Sequence, residues 1–234
     1  MMEPINVFKH PMVLLWLTVT AYWVANILRT RTGNVLFNPV LLSTTAIILY
    51  LTALNIDYST YHEAAEFIDF WLKPAVVGLA VPLYNNWEKI RKQWLPIVIS
   101  QGAGSITGIV SAVYIAKLMG ADREVTLSLA AKSVTNPIAI EITKTIGGIP
   151  AITAAMVIVA GMLGQMAGYR MMSASTVTKP MSQGMSMGSA SHAMGIAISM
   201  ERSKKYAAYA SLGLIFNGVL TAIFVPILIP LMGV

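Results

Sequence analysis

Long apolar runs alternate with short polar gaps along this chain. Runs at 11–28, 39–56, 95–118, 149–168 and 206–232 each approach or exceed the roughly 20 apolar residues that a membrane-crossing helix needs. The last is somewhat long and ends in Pro226 and Pro230, which read as helix breakers. The first has no small-residue cleavage site before Arg29, so it reads as a retained span and not a signal peptide. Three further runs, 64–84, 124–146 and 183–200, are long enough to cross but carry polar and helix-breaking residues in their middles. Breaks are predicted at Pro74 and Pro82 in the first and at Pro137 in the second. The third is loaded with glycine and serine. Non-helical backbone at membrane depth persists only inside protein or beside a watery cavity, so these three runs are predicted to face the interior of a bundle. The expected fold is an all-α polytopic membrane protein, a single integral membrane domain over 1–234. It has seven or eight transmembrane segments in two repeats, with broken or re-entrant helices near the midplane.

Composition strengthens this reading. Apolar residues make up 56% of the 234 positions and charged residues only 11%, less than half the share of a soluble domain. The absence of cysteine excludes a disulfide scaffold, thiolate zinc sites and cysteine nucleophiles. The net charge of +6 comes from Lys and Arg in the gaps, where membrane orientation explains them without nucleic acid. Gaps holding Arg29/Arg31, Lys89/Arg91/Lys92 and Arg202/Lys204/Lys205 are placed in the cytoplasm, and the carboxylate-rich gap at 57–69 outside. Counting eight crossings then leaves both termini, Arg170 and Lys179 outside. The chain also reads as duplicated. Pro39 and Pro150 each open an apolar run, and Glu88-Lys-Ile-Arg-Lys92 returns as Glu201-Arg-Ser-Lys-Lys205. Two halves, about 11–118 and 122–233, follow. Broken helices at matching positions of internal repeats point to a transporter's central site.

The sharpest candidate chemistry is Lys132-Ser133-Val134-Thr135-Asn136-Pro137. Pro137 donates no backbone bond and disfavours helix at Asn136, so the helix should open there and expose N–H groups to an anion. Lys132 supplies charge, and Ser133, Thr135 and Asn136 supply directional hydrogen bonds. A lysine at membrane depth costs roughly 2.5–3.5 kcal/mol to insert, which favours a working role. The structural reading instead has Lys132 snorkel to an interface or pair with Glu141. Lys73, after Phe70-Trp71-Leu72, reads as an interfacial lysine. In the third irregular run, Ser189, Ser191 and His192 join the candidate binding set. His192 either handles a proton or hydrogen-bonds a carboxylate, or else is a satisfied structural histidine. The GxxxG pairs Gly104/Gly108, Gly164/Gly168 and Gly184/Gly188 read as packing. Ser105 and His192 are two of the residue types of a serine protease, but two types are no triad. No metal-ligand spacing or cofactor motif stands out, and no catalytic residue is assigned.

At these segments the chain resembles the LrgB/CidB/YohK family of bacterial membrane proteins, over nearly its whole length. The likeness rests on Lys73-Pro-Ala-Val-Val-Gly-Leu-Ala-Val-Pro-Leu-Tyr84, Lys132-Ser-Val-Thr-Asn-Pro-Ile-Ala139, Gly147-Gly-Ile-Pro-Ala-Ile-Thr153 and Gly188-Ser-Ala-Ser-His-Ala-Met-Gly195. Ala131 and Asn136 stand where the family has proline and threonine, and Ile196 and Ile198 where threonine and arginine are usual. The resemblance implies a multi-pass protein of the bacterial inner membrane that works in the lipid bilayer with a small LrgA/CidA/YohJ-like membrane partner. Two functions follow from it: transport of a small monocarboxylate anion such as pyruvate, lactate, glycolate or glycerate, or holin/antiholin-like control of murein hydrolases and lysis. It leaves homo-oligomer formation open.

Overall fold

The computed structural model describes residues 7–33, 37–71, 74, 77, 80–85 and 87–234, and the regular structure among them is helical throughout. The chain forms two compact units, Met1–Ala75 and Val76–Val234. Among the described residues, four helices are long and apolar enough to cross a membrane: Pro11–Thr32, Trp94–Leu118, Pro150–Ala174 and Lys204–Leu231.

The first unit holds α1 (Pro11–Thr32), α2 (Pro39–Ala53) and α3 (Tyr58–Phe70). Pro11 and Pro39 sit in the first turn, where no N–H partner is lost, behind the N-caps His10 and Asn38. Asn38 Oδ1 accepts from the N–H groups of Val40 and Leu41 at 2.9 and 3.3 Å. Gly33 closes α1 in the left-handed conformation with φ 63°. α2 stops at Ala53, three residues short of the predicted run, so it is too short by itself to span about 30 Å of hydrocarbon. Leu14, Ile56 and Ala64 form the unit's small core, and Thr18 Oγ1 bonds the Tyr61 hydroxyl at 3.0 Å. Most of α1 faces outward, with Trp16 73% and Trp23 62% exposed, as a lipid-facing helix requires.

The second unit holds α4 (Ala80–Asn85), α5 (Trp87–Lys92), α6 (Trp94–Leu118), α7 (Arg123–Ala130), α8 (Asn136–Ile146), α9 (Pro150–Ala174), α10 (Pro180–Arg202) and α11 (Lys204–Leu231). Pro82 is helical within α4, and residues 78 and 79, the turn before it where its break would fall, lie outside the described residues. One expected break is not found. α11 continues through Pro226 and Pro230 to Leu231; inside packed apolar helices, neighbours and local adjustments accommodate the lost bonds. Pro74 is helical, and its neighbour Lys73 lies outside the described residues.

α6 and α11 run parallel. Ser105 and Thr221 bond across them at 2.7 Å, and at their common end Lys117 Nζ donates to the carbonyls of Met232 and Gly233. α7 turns back along α6, bringing Ser133 opposite Gly108. The chain then reverses at 131–135. The turn after α8 returns to α7, where Ser128 Oγ accepts from the Ile149 N–H at 2.7 Å and the Ser128 carbonyl accepts from Thr153 Oγ1 at 2.8 Å.

α10 reverses as well. Its first half runs parallel to α11, with Gly184 against Tyr206 and Tyr209, and Gly188 against the Ala210 carbonyl. His192 carries the non-helical angles φ 42° and ψ −129°. Beyond it Gly195 packs on the Met187 backbone, and Ser199 returns to bond Tyr169 at 2.8 Å. A side chain at Gly188 would collide with backbone, so only glycine allows this approach. The described residues of the second unit therefore contain three long helices and two chain reversals that enter from opposite ends. Its apolar core joins Ile109, Leu127, Val134, Ala139, Val157 and Val225 around the first reversal.

Candidate functional site

The break between α7 and α8 carries Lys132, Ser133 and Thr135, with Asn136 and Pro137 opening α8. Its position is central. Gly108 lies ten residues before the end of α6, about 15 Å at 1.5 Å per residue, half a hydrocarbon thickness of about 30 Å. Thr135 is the N-cap of α8 yet makes no side-chain capping bond. Thr135 Oγ1 and Asn136 Oδ1 are buried atoms without a hydrogen-bond partner. Polar atoms buried in this way are rare and mark a place that a ligand or water completes. Lys132 is half-buried, and its Nζ reaches Ser133 Oγ at 3.4 Å. It does not pair with Glu141, which bonds Lys144 at 3.0 Å with both side chains more than half exposed. The structural reading that pairs Lys132 with Glu141 is thereby corrected: α8 carries Glu141 to the exposed side, within reach of the residue three positions on.

Asn217, which the sequence reading passed over, sits at the middle of α11 and is 2% exposed. Its Nδ2 donates to the Ser133 carbonyl at 3.1 Å and to the Ser189 carbonyl at 3.0 Å. Helix ends leave their last carbonyls without partners. One amide thus satisfies a freed carbonyl from each reversal and holds the two together. Ser189 Oγ also bonds Gln101 Oε1 on α6. Gln101, Ser105, Asn217 and Thr221 make a polar seam between α6 and α11, all of them buried. An asparagine inside an apolar span was the available signal, since polar groups in spans find internal partners.

The remaining candidates point elsewhere. His192 Nε2 donates to the Val157 carbonyl at 2.9 Å, and its ring packs against Gly161 of α9. Ser191 Oγ lies against Gly164, also on α9, and has no hydrogen-bond partner. Gln165 Oε1, one position on, is likewise unpartnered and buried. The structure thus brings Ser189 to the α7–α8 break through Asn217, and directs Ser191 and His192 to α9. Ser105 is engaged by Thr221 and His192 by Val157, so they form no catalytic pair. The glycine pairs Gly164/Gly168 and Gly184/Gly188 meet the first half of α10 and α11 respectively, the packing role expected of them.

The LrgB-like family profile matches residues 18–231. The chain belongs to the LrgB-like family. Among its relatives is the antiholin-like protein LrgB of Bacillus mycoides (strain KBAB4), 32% identical over 217 residues, which cover 92% of this chain and 94% of the relative. The antiholin-like protein LrgB of Bacillus cereus (strain B4264) is 31% identical over the same coverage. No solved structure matches the chain. The family and the apolar helices together make this a membrane protein.

Proposed function

We propose that this chain acts as an antiholin-like membrane protein that modulates murein hydrolase output and lysis. The observation that supports this best is kinship over nearly the full length with proteins bearing that name. Deleting and overexpressing the chain in its host should shift autolysis rate and hydrolase activity in zymograms in opposite directions. Unchanged autolysis in both strains refutes the reading.

A second reading is favoured by the unpartnered polar atoms at the α7–α8 break: passage of a small monocarboxylate through the second unit, aided by a small LrgA/CidA-like membrane protein. The free Thr135 hydroxyl offers a donor and Lys132 a charge to a carboxylate, and the start of α8 faces the same break. In this reading α6, α9 and α11 cross the inner membrane while α7–α8 and α10 are re-entrant from opposite faces. Arg170, Lys179, Arg202, Lys204 and Lys205 then share one face with Lys89, Arg91 and Lys92, where the eight-crossing count divides them. That face is cytoplasmic by the positive-inside rule.

Two measurements test the second reading. Cysteines at 179 and 204 should label from the cytoplasmic face, and one at 144 from the other; opposite labelling of 179 and 204 overturns the topology. Proteoliposomes with and without the small partner should show saturable uptake of radiolabelled pyruvate, lactate or glycolate. Absence of saturable flux with every small carboxylate removes the transport reading and leaves the antiholin-like one standing.

A further inference from the structure

The two reversals of the second unit occupy matching positions. α6 and α9 are both 25 residues long and begin 56 positions apart, at Trp94 and Pro150. Ser133 and Ser189, the two residues whose carbonyls share Asn217, are also 56 apart, as are Thr135 and Ser191, whose hydroxyls both lack partners. The segments enter from opposite ends, so the match is that of an inverted repeat, each copy a long helix followed by a reversal. Its period is half the spacing of about 112 between the two halves read from the sequence. The copies differ in charge. Where the first reversal has Lys132, the second has Gly188.

That difference decides what each end suits. The first presents an ammonium group beside unpartnered polar atoms. The second carries no lysine or arginine: it presents the Ser191 and Gln165 oxygens beside the His192 ring, whose Nε2 is engaged by the Val157 carbonyl. Ser191 is 0% exposed and Gln165 9% exposed, and neither Ser191 Oγ nor Gln165 Oε1 has a partner. Both border the reversal at His192. Ser191 Oγ sits against Gly164, and Gln165 continues the buried stripe Val157, Gly161, Gln165 that meets the His192 ring one turn earlier. The reversal also ends a helix, whose last carbonyls lose their intrahelical partners; Asn217 takes that of Ser189. Neutral side-chain oxygens beside unwound carbonyls suit a hard monovalent cation, whereas divalent ions draw on carboxylates.

We propose that Ser191, Gln165 and the carbonyls at the His192 reversal form a binding site for a hard monovalent cation, for which sodium is the probe. Cation binding stands independently of the transport reading; only its use as a coupling ion rests on that reading.

The test uses the purified full-length chain in detergent, with no carboxylate present. Sodium chloride is titrated against choline chloride at constant ionic strength, with thermal unfolding and binding of radioactive sodium ion as readouts. Sodium raises the unfolding temperature saturably and choline does not. Ser191→Ala and Gln165→Leu each weaken the apparent sodium affinity roughly tenfold or more. Gln165→Glu places a carboxylate in the ligand set, so its sodium affinity rises and becomes pH-dependent, which loss of packing alone does not produce. If Gln165→Leu does not fold, Ser191→Ala and Gln165→Glu decide. A wild-type chain without saturable, cation-selective stabilisation or binding overturns the proposal. So does unchanged affinity in the folded variants, because the oxygens named here are then not the ligands. A failed carboxylate uptake assay leaves this result untouched.

Discussion

Removing the Asn217 amide isolates the contact that joins the two reversals. Asn217→Ala leaves the Ser133 and Ser189 carbonyls without the donor that now reaches them at 3.1 and 3.0 Å. A buried polar group left unsatisfied costs about 1–3 kcal/mol, which sets about 6 kcal/mol as the ceiling for two. Hydrogen bonds between membrane helices average only about 0.6 kcal/mol, with a maximum near 1.7, which sets a lower range of about 1–3 kcal/mol for the pair. Asn217 is 2% exposed, so water replaces its donors poorly and the result should fall between these limits, at about 2–4 kcal/mol. For a unit of this size that corresponds to roughly 4–16 °C in midpoint, at about 2–4 °C per kcal/mol. The measurement is thermal unfolding in detergent, followed by loss of the monodisperse chromatographic peak. Asn217→Asp preserves shape but replaces the donor with an acceptor, so it should be at least as damaging as Asn217→Ala. Thr45→Ala is the control, because Thr45 is exposed and bonds only the Leu41 carbonyl of its own helix. A midpoint within about 2 °C of wild type for Asn217→Ala, or an Asn217→Asp chain as stable as wild type, would refute the reasoning.

Lys132→Ala should leave folded yield unchanged and abolish carboxylate flux, and Lys132→Arg should be partly defective because a planar fork replaces a compact ammonium. Glu141→Ala should have no effect on either, since the exposed Glu141–Lys144 pair is worth at most about 1 kcal/mol; rescue of Lys132→Ala by Glu141→Ala in a flux assay would show the lysine to be structural. Thr135→Ala should lower flux with an unchanged melting temperature, because its hydroxyl has no partner within the protein to lose; a large drop in stability contradicts this. Gly188→Val should prevent recovery of folded protein, since its side chain meets the Ala210 backbone, whereas Gly104→Ala faces open space and should be neutral or stabilising by about 0.5–1 kcal/mol in the same melts.

The apolar runs located the long helices well because length and hydropathy are local properties. α1, α6, α9 and α11 begin within two residues of their predicted starts. The opening before Pro137 was equally local, a missing N–H at a fixed position. The form of α10 was not local. His192 has neither a proline's fixed geometry nor a glycine's freedom, and its φ of 42° is set by the contacts of Ser191 and His192 with α9 and of Gly188 and Gly195 with neighbouring backbone. Glycines visible in the sequence as helix-packing residues therefore bring backbones together around a reversal. Pro226 shows the opposite error. Its own chemistry reads as a breaker, while its place in a packed helix decided the outcome. Asn217 stands out between Ile215-Phe216 and Gly218-Val219, but its two partners lie on distant segments and so were not local.

The shared amide couples the two reversals in a way that neither alone would show. Asn217 offers two N–H donors from one rigid group, and each is committed to a carbonyl on a different reversal. A shift of either segment by more than a few tenths of an ångström lengthens its bond past the useful range of about 3.2 Å. The freed carbonyl then costs about 1–3 kcal/mol unless another donor or a cation takes it up. That is the size of a typical coupling free energy between sites. On the transport reading, an anion that engages Thr135 and Lys132 in only one position of the first reversal would change how firmly Asn217 holds Ser189. The proposed cation beside Ser191 would act back through the same amide. The two ends of the inverted repeat are linked by one side chain, and the strength of that link is what Asn217→Ala measures.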